Sequence, residues 1–137
     1  EIVFCGYGEP TLRLPLILNL AKKIKAHHGK VRLNTNGHGN LIHKRDILPD
    51  FKGLIDAISV SLNAESEMKY NEISHPGFES NTFEEVKLFI RESKKYVPNV
   101  VATVVGTPNQ IDILECERIA KEELGVEFRV RSYNVVG

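Results

Sequence analysis

Along the chain, short runs of β-branched and aliphatic residues alternate with longer stretches in which apolar side chains recur every three or four positions. That switch of period is the pattern of β-α-β units wound onto a parallel sheet. It predicts five strands, at residues 2–5, 31–35, 57–62, 100–105 and 127–133, each rich in Val, Ile or Leu as strands buried on both faces are. Four helices fall between them. The first, over 14–27, places Leu14, Ile17, Leu18, Ala21 and Ile24 on or near one stripe, and its C-terminal half carries Lys22, Lys23 and Lys25, which suit the negative end of the helix dipole. A weaker second helix is expected over 43–51, ending near Gly53. A third runs 82–96 with Phe83, Val86, Phe89 and Ile90 inward, stopped by Pro98, and a fourth runs 111–124 with Ile113, Leu114, Ile119, Ala120 and Leu124 able to pack and Gly125 as a left-handed cap. The expected fold class is therefore α/β, a parallel sheet of about five strands with alternating helices. Spacing leaves open whether the sheet is a curved barrel wall or an open, doubly wound one. A closed eight-unit barrel needs about 250 residues, so 137 residues could form only part of one.

Composition narrows the classes of function. Hydrophobic residues at 42% and charged residues at 26% are ordinary globular values and exclude a disordered or low-complexity chain. Eighteen basic residues balance eighteen acidic ones, so there is no electrostatic case for nucleic acid or an anionic membrane surface as partner. The apolar runs are too short to span a bilayer. Two cysteines, Cys5 and Cys116, cannot make a disulfide framework, and with no apolar leader ahead of the domain the cytoplasm is the expected compartment. Both thiols are expected to be packed ones. The chain opens inside a predicted strand, Glu1-Ile2-Val3-Phe4-Cys5, which is the expectation for a piece of a longer protein, with residues 1–137 as one truncated domain.

Ligands of parallel α/β folds sit beyond the carboxyl ends of the strands. There this chain collects its polar residues. Gly6-Tyr7-Gly8-Glu9-Pro10-Thr11 follows the first strand and can present backbone carbonyls and a carboxylate to an amino-bearing ligand, or can serve as a tight turn with Thr11 as helix cap. It is neither a phosphate loop nor the dinucleotide fingerprint. The second strand ends Asn34-Thr35-Asn36-Gly37-His38-Gly39-Asn40, more hydrogen-bonding groups than a turn requires; His38 and His43 fit a solvated loop better than a metal pair. In the third strand, alternation sends Ser59, Ser61 and Asn63 to one side, with Asn63 or Ser66 alternatively capping a short segment at 66–70. After the fourth strand Thr107, Pro108 and Asn109 fit a cap for the next helix. The fifth places Arg129, Arg131 and Tyr133 on one side, and arginines aimed inward suit a carboxylate or phosphate. His27, His28 and His75 show no convergence.

A Gly-Glu-Pro-Thr turn after the first strand, a Thr-Asn-Gly end on the next and a Val-Ser-Leu-Asn-Ala end on the third, about 26 to 28 residues apart, together resemble the radical S-adenosylmethionine (radical SAM) superfamily. The longer strings at 4–11, 32–40 and 129–134 most resemble the radical SAM proteins associated with TatD-type nucleases. The resemblance spans essentially the whole chain. It implies a six-stranded partial TIM-type barrel whose second to sixth strands lie here, and a parent that reductively cleaves S-adenosylmethionine at a [4Fe-4S] cluster to a 5′-deoxyadenosyl radical. It further implies that Gly8, Glu9 and Pro10 match the motif holding the cofactor's amino group. Thr35, Asn36, Ser61 and Asn63 would match positions around its ribose and carboxylate. Val104 to Gly106 would lie near the adenine, without the family's Gly-x-Ile-x-Gly-x-x-Glu pattern, and Arg131 would pair a carboxylate. The Cys-x3-Cys-x2-Cys motif that holds the cluster is absent from the 137 residues, so the chain alone is expected to be inactive, its substrate unknown and a TatD-type nuclease a possible functional context.

Two other classes remain open on sequence. One is a non-catalytic nucleotide- or partner-binding module, an open flavodoxin-like sheet with strand order 2-1-3-4-5. The other is an interaction fragment that needs only an exposed edge: the run Ile2 to Cys5 would be an apolar edge strand prone to self-association.

Overall fold

The computed structural model describes residues 1–5, 8–74, 76–78, 81–106 and 110–132. Of the residues singled out above, Gly6, Tyr7, His75, Thr107, Pro108, Asn109, Tyr133 and Asn134 lie outside that set. Five parallel strands form one sheet: β1 (Ile2–Phe4), β2 (Val31–Thr35), β3 (Ala57–Ser61), β4 (Asn99–Val105) and β5 (Glu127–Arg131). Their order is sequential, β1-β2-β3-β4-β5. Right-handed crossovers between successive neighbours all place their helices on the same face. A reversal of order, the mark of an open switch-point sheet, does not occur, so the flavodoxin-like 2-1-3-4-5 alternative lacks its defining feature and the sheet is that of a partial TIM-type fold.

The helix-covered face holds the core. Leu33, Ile58, Val60, Ala102 and Val104 from the central strands pack with Ile17 and Ala21 of α1 (Leu14–Ala26) and with Phe83, Val86, Phe89 and Ile90 of α4 (Thr82–Ser93). At about 1.5–3 kcal/mol for each large side chain fully buried, this face alone can hold the layers together. The other face is not a second apolar layer. Strand β2 alternates buried and half-buried positions, and Arg32 and Asn34 share a face with Ser59 and Ser61 of β3, Thr103 of β4 and Arg129 and Arg131 of β5. The expectation of strands buried on both faces fails for β2 and β5, because polar residues at every second position mark a wall with one wet side.

Several helix boundaries also differ. A 3₁₀ turn, Pro10–Arg13, leads into α1. The helix expected over 43–51 is instead α2 (Gly39–His43) and a separate 3₁₀ turn, Leu48–Phe51. Lys44 turns left-handed at φ 54° and ends α2, while the Asn40 side chain accepts the Ile47 N–H at 2.7 Å and Asp46 accepts the Leu48 N–H at 3.1 Å. These side-chain bonds satisfy the loop backbone locally, so no helix is needed there. The short segment expected at 66–70 extends to α3 (Glu67–Ser74), whose first turn is capped by Ser66 Oγ accepting the Lys69 N–H. The last helix is α5 (Ile113–Arg118), followed by a π turn, Ile119–Glu123. The wider turn brings Ile119, Ala120 and Leu124 inward together, whereas Leu114, expected to pack, is 78% exposed. Gly125 caps the end at φ 70°, as its position predicts. Cys116 is buried, and burial pushes its thiol up to about 12, whereas Cys5 is exposed at the end of β1 and is not the packed thiol expected. No helix among the described residues is long and apolar enough to cross a membrane.

Candidate functional site

The C-terminal ends of the strands carry two distinct polar groups and a latch between elements. The first group centres on Glu9. Pro10 holds Glu9 extended, at φ −87° and ψ 115°, which turns its carboxylate back over the 3₁₀ turn as the cap; Thr11, the expected cap, is instead a donor to it. Glu9 Oε2 accepts the Thr11 N–H at 3.1 Å, the Thr11 hydroxyl, and the Thr35 hydroxyl at 2.6 Å. Glu9 Oε1 accepts the Asn36 N–H at 2.8 Å. One carboxylate therefore ties the turn after β1 to the end of β2. Thr35 is buried and doubly used, since its Oγ also accepts the Gly37 N–H at 3.1 Å. Asn36 is half-buried, and its Oδ1 accepts the His38 N–H. Gly8 lies exposed beside the turn, with nothing within 4 Å of where a Cβ would stand. A ligand can therefore approach the Gly8 backbone closely, and Oε1 of Glu9 keeps acceptor capacity that Oε2 has spent.

The second group lies on the polar inner face. Ser61 Oγ accepts from Arg131 Nη2 at 3.4 Å, while Ser59 Oγ accepts from Arg32 Nη1 at 3.1 Å and Arg129 Nη2 at 3.3 Å. Two buried polar atoms here have no hydrogen-bond partner, Asn34 Oδ1 and Arg131 Nε. Asn34, Ser59, Ser61, Thr103, Arg129 and Arg131 surround a gap of about 20 Å³, room for a water molecule. Burial, with the neighbouring Arg129 cation second, lowers the Arg131 guanidinium below its ordinary value. At the β4 end, the Gly106 N–H donates to the Arg131 carbonyl at 2.9 Å, and a Cβ on Gly106 would stand 2.9 Å from Val130 Cγ1, so the glycine lets β4 and β5 stay close there.

Asn63 joins neither group. It sits past the end of β3 in a left-handed conformation, φ 70°, and its Nδ2 donates to Ser74 Oγ at 3.1 Å. Ser74 is hydrogen-bonded to Tyr70, one helical turn back, and the Tyr70 hydroxyl meets His38 Nε2 at 2.6 Å. A chain of side chains, buried at His38 and Tyr70 and half-buried at Ser74 and Asn63, thus links the end of β2, helix α3 and the end of β3. Burial pushes the Tyr70 phenol up to about 12, against the Ser74 bond. Burial also holds the His38 imidazole below its ordinary 6.5, with the Glu9 charge opposing. His43 instead points its Nε2 at the Thr11 carbonyl, 2.6 Å away, so the two histidines are spent on separate structural bonds. No group of three His, Cys, Asp or Glu residues among the described residues is placed to hold a metal ion.

The His38 environment has a pH consequence. A folded imidazole that resists protonation leaves the unfolded chain binding more protons below about pH 6.5, so stability falls as pH drops through that value and levels off once the folded imidazole also protonates. Urea unfolding across this window should show that loss for the native chain. His38→Gln, which can still bond the Tyr70 hydroxyl, should show less of it, and an equal slope in both would assign the loss to other groups.

The resemblance sets Gly8, Glu9 and Pro10 at one end of a ligand and Thr35, Asn36, Ser61 and Asn63 at another, whereas the structure ties Glu9 to Thr35 and Asn36 and sets Ser61 beside Arg131. Sequence reasoning gives Asn34 only as part of the polar end of β2, and does not assign Arg32 or Thr103 to the inner face. The signal for Arg32 and Asn34 is present as the strict apolar-polar alternation Val31-Arg32-Leu33-Asn34, which specifies one polar face. The His38–Tyr70 contact has no sequence signal, since the two residues are 32 positions apart.

No protein-family model matches the chain, and no curated protein matches it significantly. Among solved structures, it is similar to a domain of pyruvate-formate lyase-activating enzyme from Bacteroides vulgatus ATCC 8482, with a TM-score of 0.61 and 11% sequence identity over 95% of this chain and 98% of that one. At that identity what the two share is the fold.

Proposed function

We propose that this chain is core sequence of a radical SAM enzyme, nearest within that superfamily to the TatD-associated proteins, with the cluster ligands lying outside these 137 residues. The observation that carries the proposal is the coincidence of a sequential, one-sided parallel sheet with Gly-Glu-Pro and Thr-Asn-Gly turns at its carboxyl edge. The fold is shared with a domain of an activating enzyme that is itself a radical SAM enzyme.

The residues present fit S-adenosylmethionine at the strand ends and do not fit an iron-sulfur cluster. Gly8 and Glu9 Oε1 offer backbone and carboxylate oxygen to an ammonium, Asn36 offers a side-chain amide, and the orphaned Arg131 Nε beside Ser61 offers a donor to a carboxylate. Thr35 acts by holding Glu9 in place, and Asn63 by fixing α3 over the end of β3. Three thiolates are needed for a cluster with an open iron, and exposed Cys5 and buried Cys116 cannot supply them. When bound with its cluster, the cofactor supplies radical chemistry; this chain's part is to orient it and exclude water. Titration of the chain with S-adenosylmethionine, followed by NMR, should shift Gly8, Asn36, Ser61 and Arg131 saturably. Shifts confined to other residues, or none, would contradict the reading.

The same proposal accounts for the edge of β1. Ile2 and Val3 are 51% and 40% exposed, and Phe4, Leu16, Ile17 and Leu20, with Glu9 and Arg13 at its polar part, line an adjoining groove of about 310 Å³. An apolar strand edge beside a largely apolar groove suits another strand and helix. The chain studied alone should therefore self-associate through this edge, and a monomer in sedimentation velocity over a hundredfold or so of concentration would contradict that.

A further inference from the structure

The inner face gathers more positive charge than one cofactor carboxylate accounts for. Arg32 from β2 and Arg129 from β5 reach from opposite sides of the sheet to the same Ser59 hydroxyl, at 3.1 and 3.3 Å. A serine oxygen can accept both bonds, but it brings no charge to offset two guanidiniums. Among the described residues Arg129 and Arg131 form no ion pair, and Arg32 has one, at 3.4 Å to the exposed Glu1. Arg32 and Arg131 are half-buried and Arg129 is exposed beside them, a grouping of like charges that an anion would offset, and the Arg fork matches carboxylate and phosphate geometry. Asn34 Oδ1, buried without a partner in the same layer, adds an acceptor for a protonated or hydroxyl group on such a ligand.

We propose that Arg32, Arg129 and Ser59 form a second anion subsite, adjoining the Arg131–Ser61 pair across the gap they share, and that its occupant is a carboxylate or phosphate group of the substrate. Ser59 and Ser61 lie two residues apart on β3, so this subsite sits about 7 Å deeper toward the amino ends of the strands than the cofactor's. Calling the occupant substrate rests on the radical SAM reading; the anion subsite itself rests on the geometry alone.

The test titrates the full chain with inorganic phosphate and, separately, with succinate, following backbone amides and arginine Nε–H signals by NMR. At least one anion should bind saturably and shift Ser59, Arg32 and Arg129, and the tighter of the two identifies the source as phosphate or carboxylate. R129Q should weaken that binding by about tenfold or more, the loss expected for a charge-assisted bond, and R129K, which keeps the charge but loses the fork, should weaken it less. R131Q, which removes a neighbouring charge but no bond to Ser59, should weaken it less than R129Q. Absence of saturable binding by either anion overturns the proposal, as does binding insensitive to R129Q, or binding lost in R131Q and not in R129Q. S-adenosylmethionine titrated in parallel separates the two claims: failure of cofactor binding with phosphate or succinate binding intact overturns the cofactor reading and leaves the anion subsite standing.

Discussion

Replacing Glu9 by alanine should lower the unfolding free energy by about 2–4 kcal/mol, among the largest effects of any single polar substitution in this chain. Its carboxylate receives four donors from three residues in two segments: the Thr11 N–H and hydroxyl, the Thr35 hydroxyl and the Asn36 N–H. Thr11 and Thr35 are both buried, at 0% and 4% exposure, so the alanine variant strands their hydroxyls away from water rather than returning them to it. The penalty is that of orphaned donors plus lost charge-assisted bonds, which exceeds the net worth of the bonds themselves. Glu9→Gln keeps one oxygen acceptor and should cost about half as much. Urea unfolding of the three proteins checks this, and a loss below about 1 kcal/mol for alanine would mean that the turn and the end of β2 are held by something else. The same variant should also broaden or shift the Asn36 and Gly37 amides, since their positions follow from this tie.

Gly37→Ala should be comparably damaging, for a different reason. Gly37 sits at φ +81°, where a side chain costs about 1–2 kcal/mol. Its added Cβ would also stand 2.9 Å from Val60 Cγ1 and 3.2 Å from Val86 Cγ1, in a packed core where overfilling costs a further 1–3 kcal/mol or so. Gly53 provides the control. Its φ is +76°, but nothing lies within 4 Å of where an added methyl would stand, so Gly53→Ala carries the backbone cost alone. A difference of about 1 kcal/mol or more between the two variants, read from thermal or urea unfolding, is the expected result; equal costs would mean that β2's end yields easily.

What can be read from the chain depends on whether a feature is local. Strand positions and the core faces of α1 and α4 are legible because their apolar spacing is dictated within the element itself. The left-handed Gly37 and Gly125 are legible for the same reason. Strand order is not, since spacing is identical for a barrel wall and an open sheet; only the pairing of Ser59 with Asn34 on one side and Val101 on the other settles it. The broken helix between residues 39 and 51 escapes the pattern because side-chain bonds from Asn40 and Asp46 replace helical ones, and the π turn after α5 escapes it because Ile119–Glu123 is too short a segment for its wider period to stand out. Within the candidate site, Glu9 is visible as chemistry but not as a tie, because its partners Thr35 and Asn36 are more than 25 positions away. Alternation assigns Asn63 to the face of Ser59 and Ser61, but it no longer applies once the chain turns left-handed after the strand.

The central claim, that these residues are core sequence of a radical SAM enzyme, is tested most directly by sequencing the source gene upstream of the codon for Glu1. The account predicts a Cys-x3-Cys-x2-Cys motif about one β-α unit before that residue, following a strand positioned to pair with β1. An upstream sequence without three such cysteines would contradict it, and would leave the turns at Gly8 and Gly37 and the inner-face arginines as a binding surface with no radical chemistry to serve.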